Sequence, residues 1–112
     1  MIFTASFVSK NQLHLINYGS TYLKVKGQTQ EGYDSVLSAV REPIKATLGF
    51  NMHFAHPAEG QWDVYEVWQS RAEADKWFAK YVVPNLAEGI HPKRFYHQLH
   101  SLVTPFESLL KF

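Results

Sequence analysis

The chain contains no cysteine, which excludes disulfide staples, thiolate nucleophiles and cysteine-based zinc sites. The hydrophobic core must hold the fold alone, and a reducing cytoplasm is the expected location. It also lacks any surplus of charge. Its 11 basic and 10 acidic residues are well mixed and leave a formal net charge of +1. Such a surface offers no field for a phosphate backbone or an anionic bilayer, so neither nucleic acid nor membrane is an expected partner. Long hydrophobic runs are missing too. The apolar start MIFTASFV has no basic lead-in and carries Thr4 and Ser6, and it is too short for a membrane span or a signal peptide. No internal repeat, phosphate-binding glycine loop, G-x-S-x-G elbow or H-E-x-x-H helix occurs, and Ser35, Ser38 and Ser108 fall on expected helices, so nucleotide cofactors and serine catalysis find no support. What the chain has in abundance is aromatic residues, at 15% of the total. Part of that surplus reads as dimer surface or ligand pocket.

A chain of 112 residues without a polar linker makes one domain. Residues 20–105 are expected to be its core, with 1–19 an N-terminal extension that can form an extra hairpin ending in a bulge at Gly19, and 106–112 a short amphipathic tail. Residues 21–26 (TYLKVK) alternate, with Leu23 and Val25 on one side and Tyr22, Lys24 and Lys26 on the other, which predicts a half-buried strand. Thr29 is placed to cap a helix whose stripe is Tyr33, Val36, Leu37 and Val40, ended or bent by Pro43. Ser70 and Glu73 have capping-box spacing ahead of a second stripe, Ala74, Trp77, Phe78 and Tyr81, which Pro84 interrupts. Residues 94–103 return to period two. The order strand, helix, strand, strand, helix, strand predicts a ferredoxin-like α+β fold, a four-stranded antiparallel sheet with both helices on one face. The other face, expected to carry Tyr22, Trp62, Trp68, Tyr96 and Leu102, is too apolar for water, and a second copy is expected to cover it as a homodimer.

Residues 49–70 carry the one arrangement suited to chemistry. Folded about Glu59 and Gly60, they set Asn51 opposite Trp68, His53 opposite Glu66 and Ala55 opposite Val64. Phe50, Met52, Phe54, Tyr65 and Val67 then share the other face, expected to be the core. Opposed residues have Cβ atoms roughly 4.5–5.5 Å apart, close enough for an imidazole to meet a carboxylate. His53 is thus a candidate general base for a phenolic proton, with Glu66 orienting its ring, on the face away from the helices. The same pair also fits a purely structural contact at a dimer seam. Tyr22, Trp62, Trp68 and Tyr96 are candidates to line a slot for a planar aromatic ligand, with Asn51, Gln98 and His100 as polar anchors. Their plainer reading is dimer core. His53 with His56, and His97 with His100, are spaced so that the members of each pair point to opposite faces, and no metal site is expected.

Four stretches, GF-x-x-H-x-A-x-P at residues 49–57, DVYEVWQS at 63–70, VVPNL at 82–86 and HSLVTP at 100–105, resemble the antibiotic biosynthesis monooxygenase-like group of the dimeric α+β barrel superfamily. The resemblance covers about residues 21–105. It implies two sheets paired around apolar pockets and, in some members, cofactor-independent oxidation of polycyclic phenols to quinones by molecular oxygen. Others in the superfamily degrade haem with an asparagine on the first strand, a tryptophan ending the third and a histidine on the second helix. Trp68 matches that tryptophan, but the first strand here offers Tyr22 and Lys24, and residues 71–86 contain no histidine. A cofactor-independent monooxygenase or binding protein for a small aromatic molecule is therefore the expected function, and a non-catalytic ligand-binding or stress-response dimer is the alternative.

Overall fold

The computed structural model describes residues 18–105. The expected N-terminal hairpin and C-terminal tail lie outside these residues. Strand β1 (Gly19–Lys26) leads through Gly27 to helix α1 (Gln30–Lys45), then β2 (Phe50–Ala58), β3 (Gln61–Trp68), helix α2 (Arg71–Trp77) and β4 (Lys93–Gln98). The strands form one antiparallel sheet in the order β2-β3-β1-β4, which is the ferredoxin-like arrangement.

Local chemistry sets the element ends. The Thr29 side chain accepts from the Gly32 amide at 3.0 Å and starts α1, and the Ser70 hydroxyl accepts from the Glu73 amide at 3.2 Å and starts α2. Pro43 does not stop α1, which runs two residues further to Lys45. Pro43 has no amide to bond the Ala39 carbonyl one turn back, but the turn that follows it is held from outside the ladder, where the Pro43 carbonyl accepts from the Thr47 hydroxyl at 2.7 Å. After Trp77 the second helix widens into a π-helical turn over Phe78–Val82 and a 3-10 turn over Val83–Asn85. Pro84, which has no amide to donate, stands where the α ladder would need one. Gly60, at φ 68, makes the tight turn between β2 and β3.

The register of β2 on β3 sets His53 opposite Glu66 and Ala55 opposite Val64, but Phe50, not Asn51, faces Trp68. An irregularity between Phe50 and Met52 absorbs the extra residue at Asn51. It turns Phe50 toward the helices, where its ring meets Trp68 edge-on at 5.5 Å. Gly19, expected as a bulge, sits within the regular ladder, between Trp68 and Gln98. A side chain there would run into the Tyr96 ring.

The two faces of the sheet are the reverse of those expected from the sequence. Thr21, Leu23 and Val25 of β1 pair with Glu66, Val64 and Trp62 of β3, and directly paired residues share a face. Leu23, Val25 and Val64 pack with Tyr33, Phe78 and Trp62, while Trp68 packs with Val40, Ile44, Ala74 and Trp77. His53, Trp62, Glu66, Trp68 and Tyr96 therefore look into the helical layer, not away from it. The open face carries instead a row of stacked rings crossing all four strands. Phe54 lies on Tyr65 at 5.0 Å, Tyr65 on Tyr22 at 5.1 Å and Tyr22 on Phe95 at 5.7 Å. Tyr18 and Val67, with Met52, Leu99 and Leu102, close one end of this face.

Candidate functional site

Glu66 is a carboxylate placed in a core, so both of its oxygens need donors. Two neighbours supply them. The Trp68 indole Nε1 donates to Oε1 at 2.8 Å, and His53 Nδ1 meets Oε2 at 2.8 Å. A carboxylate only accepts, so the hydrogen of that second bond sits on Nδ1. In the neutral ring this leaves Nε2 as an acceptor, and the Tyr33 hydroxyl fills it at 2.6 Å. Burial, with the Glu66 and Asp34 charges adding to it, pushes the Tyr33 phenol up to about 12 from its ordinary 10.0, so at neutral pH the hydroxyl keeps its proton and is the donor. The result is a continuous chain, Tyr33 to His53 to Glu66 to Trp68, from helix α1 across β2 to β3.

Rigid groups hold this chain in place. Trp68 is wholly buried, and Trp62 stacks on Tyr33 at 5.3 Å and an interplanar angle of 20°. The Tyr33 and His53 rings are also near parallel, 6.1 Å apart. Two spaces meet at the pair. Inside, between sheet and helices, lies a cavity of about 50 Å³ walled by aliphatic residues such as Leu23, Val36, Leu37 and Val64, with Tyr33, His53 and Glu66 also on its wall. It has room for a few water-sized groups. Outside, along α1 and the edge strand β2, runs an open groove of about 640 Å³ whose lining includes Tyr33, Leu37, Val40, Ile44, Phe50 and His53. Tyr33 and His53 border both spaces.

The remaining expected ligand contacts do not gather here. Trp62 and Trp68 are the backing of the Tyr33 and Glu66 groups. Asn51 falls at the ladder irregularity in β2. Tyr22 is on the opposite face, where its hydroxyl donates to Asp63 at 2.8 Å. That bond holds the Asp63 carboxyl below its ordinary range and raises the Tyr22 phenol. Tyr96 faces α2 with the Arg71 guanidinium over its ring at 5.3 Å. Its strand is the far edge of the sheet, three strand spacings or about 14 Å from β2. Gln98 ends that same strand, and His100 lies beyond it, exposed. The proposed slot of Tyr22, Trp62, Trp68 and Tyr96 is thus divided between two faces.

Tyr33 reads from the sequence only as part of the apolar stripe of α1. Its signal is a hydroxyl within the apolar stripe of α1: a buried tyrosine needs a polar partner, and His53 and Glu66 offer one on the facing strands. Among the described residues no group of three or more histidine, aspartate or glutamate side chains is placed to hold a metal ion, and no helix is long and apolar enough to cross a membrane.

Several solved structures share this architecture. A cofactor-independent oxygenase, SnoaB from Streptomyces nogalater, superposes with a TM-score of 0.58 at 10% identity, covering 78% of this chain and 97% of that one. NE2512 from Nitrosomonas europaea, a protein of unknown function, gives 0.59 at 16% identity over 82% and 97%. A monooxygenase from the gene ActVA-Orf6 of Streptomyces coelicolor, in complex with the ligand nanaomycin D, gives 0.52 at 18% identity over 80% and 93%. No family model matches the sequence, and no curated protein matches it significantly. What the three solved structures share with this chain is the ferredoxin-like α+β arrangement of a four-stranded antiparallel sheet and two helices. At these identities the likeness concerns the fold alone.

Proposed function

We propose that the protein binds a small aromatic molecule, phenolic or polyketide-like, in the groove between α1 and β2 and oxidises it with molecular oxygen without a cofactor. The observation that carries this reading is the hydrogen-bond chain that anchors His53 on Glu66 and ends at Tyr33, at the wall of the groove. His53 is the base and Glu66 its orienter. A bound phenol gives its proton to the Tyr33 oxygen as the Tyr33 proton moves to Nε2, which leaves an imidazolium beside the carboxylate and an electron-rich phenolate in the groove. The phenolate passes electrons to oxygen. Over the whole reaction one oxygen atom enters the ring as a quinone carbonyl and the other leaves as water with two hydrogens from the substrate, so no external reductant is consumed. The similarity of fold to a cofactor-independent oxygenase agrees with this chemistry.

The ring-stacked open face, with Phe54 52% and Phe95 38% exposed, supports a homodimer formed through it. The functional assembly is then a two-sheet barrel, working in the cytoplasm.

Oxygen uptake over a panel of anthrones and naphthols tests the activity. Wild type is expected to consume oxygen with at least one of them, and His53→Ala to lose most of that rate. Equal rates would remove His53 from the mechanism. One observation favours a second reading, a non-catalytic ligand-binding dimer: Nε2 of His53 is already satisfied by Tyr33 at 2.6 Å. Binding without oxygen uptake would select it.

A further inference from the structure

The groove has a sign as well as a shape. Its lining holds two cationic side chains, Arg41 and Lys45, together with His53, and no carboxylate. Lys45 is partly neutralised by Glu42 at 3.1 Å. Arg41 has no ion-pair partner among the described residues. Tyr33, Leu37, Arg41 and Lys45 all border the groove, and their spacing of four sets them in one row along the helix. Eight residues separate Tyr33 from Arg41, about 12 Å of helix axis. That is the scale of two or three fused rings. Between the two ends α1 presents Leu37 and Val40, and the rest of the lining is largely apolar, with Ile44 from α1 and Phe50, Met52 and Ala55 from β2.

We infer that the groove selects a planar aromatic acid, whose phenolic end meets Tyr33 and His53 while a carboxylate at the other end lies on the Arg41 guanidinium. The inference rests on the proposed site and names the class of molecule it takes. A planar guanidinium holds a carboxylate through paired hydrogen bonds that fix its orientation. With Arg41 holding one end, the hydroxyl of a hydroxy-acid arrives at Tyr33 in one register. A neutral phenol of the same size has only the apolar walls and the Tyr33 end to bind, and can slide between them.

Titration calorimetry with 6-hydroxy-2-naphthoate and 2-naphthol, matched in ring system, tests the selection without reference to turnover. The acid is expected to bind wild type about fivefold more tightly, the scale of a single partly exposed ion pair. Arg41→Gln should bring the two affinities together, and Arg41→Lys should keep part of the preference. Added salt should erode it. Equal affinities in wild type, a preference that survives Arg41→Gln, or no binding of either probe would each overturn the inference. Oxygen uptake is read separately: selective binding of the acid without uptake leaves the anion site standing and removes only the oxidation.

Discussion

Glu66 accepts from two donors, and the energetic consequence of removing it follows from their surroundings. In Glu66→Leu the Trp68 Nε1 hydrogen, in a side chain with no exposure, loses its only partner. A buried donor stranded in this way costs about 1–3 kcal/mol. The His53 Nδ1 hydrogen loses its acceptor too, but the His53 side chain is 18% exposed and water recovers part of that loss. The expected total is about 2–4 kcal/mol, a large part of the roughly 5–15 kcal/mol that holds a small domain together. Glu66→Gln should behave differently. Its amide oxygen still accepts from Trp68, but its NH2 now faces Nδ1, so His53 must move its hydrogen to Nε2 and Tyr33 must turn from donor to acceptor. Because the chain can reverse, the cost should be only about 1 kcal/mol. Urea unfolding measures both values, and the nitrogen-15 shifts of the His53 ring report which nitrogen carries the hydrogen. Equal destabilisation by Leu and Gln, or an unchanged tautomer in Glu66→Gln, would mean that the hydrogen-bond chain does not reverse. The same reversal takes the acceptor away from Tyr33, so Glu66→Gln should be folded and inactive.

Further expectations concern single positions. The Tyr33 phenol is raised in the folded state to about 12 from 10.0, so its contribution to stability is complete below pH 10 and fades as pH rises toward 12; in Tyr33→Phe, urea midpoints between those limits should fall less steeply than in wild type. Gly19→Ala pushes a methyl group into the Tyr96 ring and should cost about 1–3 kcal/mol, largely restored when Tyr96→Leu is added; undiminished stability of the single variant would show that the ring moves aside freely. Tyr65→Glu places a charge amid the stacked rings of the open face, and light scattering should find a dimer for wild type and a monomer for the variant. Haem titration should give no Soret shift, since the second helix offers no histidine.

The order of elements was legible because each is signalled locally: alternation for β1, the Thr29 and Ser70 caps for the helices, Gly60 for the turn. The meeting of His53 and Glu66 was legible for the same reason, since a two-residue turn fixes the register of its hairpin. The side of the sheet on which they stand was not. Both faces carry aromatic side chains, so polarity within one hairpin could not distinguish core from open face. What decides it is the pairing of Leu23 with Val64 and Thr21 with Glu66, a contact across some forty residues that no local pattern announces. A charged residue such as Glu66 also reads as outward-facing unless its donors are known. Trp68 and His53 supply them, and only the fold brings in the third partner, Tyr33, from α1. The extra residue at Asn51 was equally hidden, because the bulge answers to packing of Phe50 on Trp68 and not to any turn residue.

His53 can act only on a ligand that reaches its end of the groove. Nitrogen-15 spectra of the His53 ring, recorded while 2-naphthol or 6-hydroxy-2-naphthoate is added, test this directly. The Nε2 signal should move with ligand concentration in wild type, with the Nδ1 hydrogen still held by Glu66. A ligand that binds and leaves both ring nitrogens unmoved would sit elsewhere and leave His53 without a role.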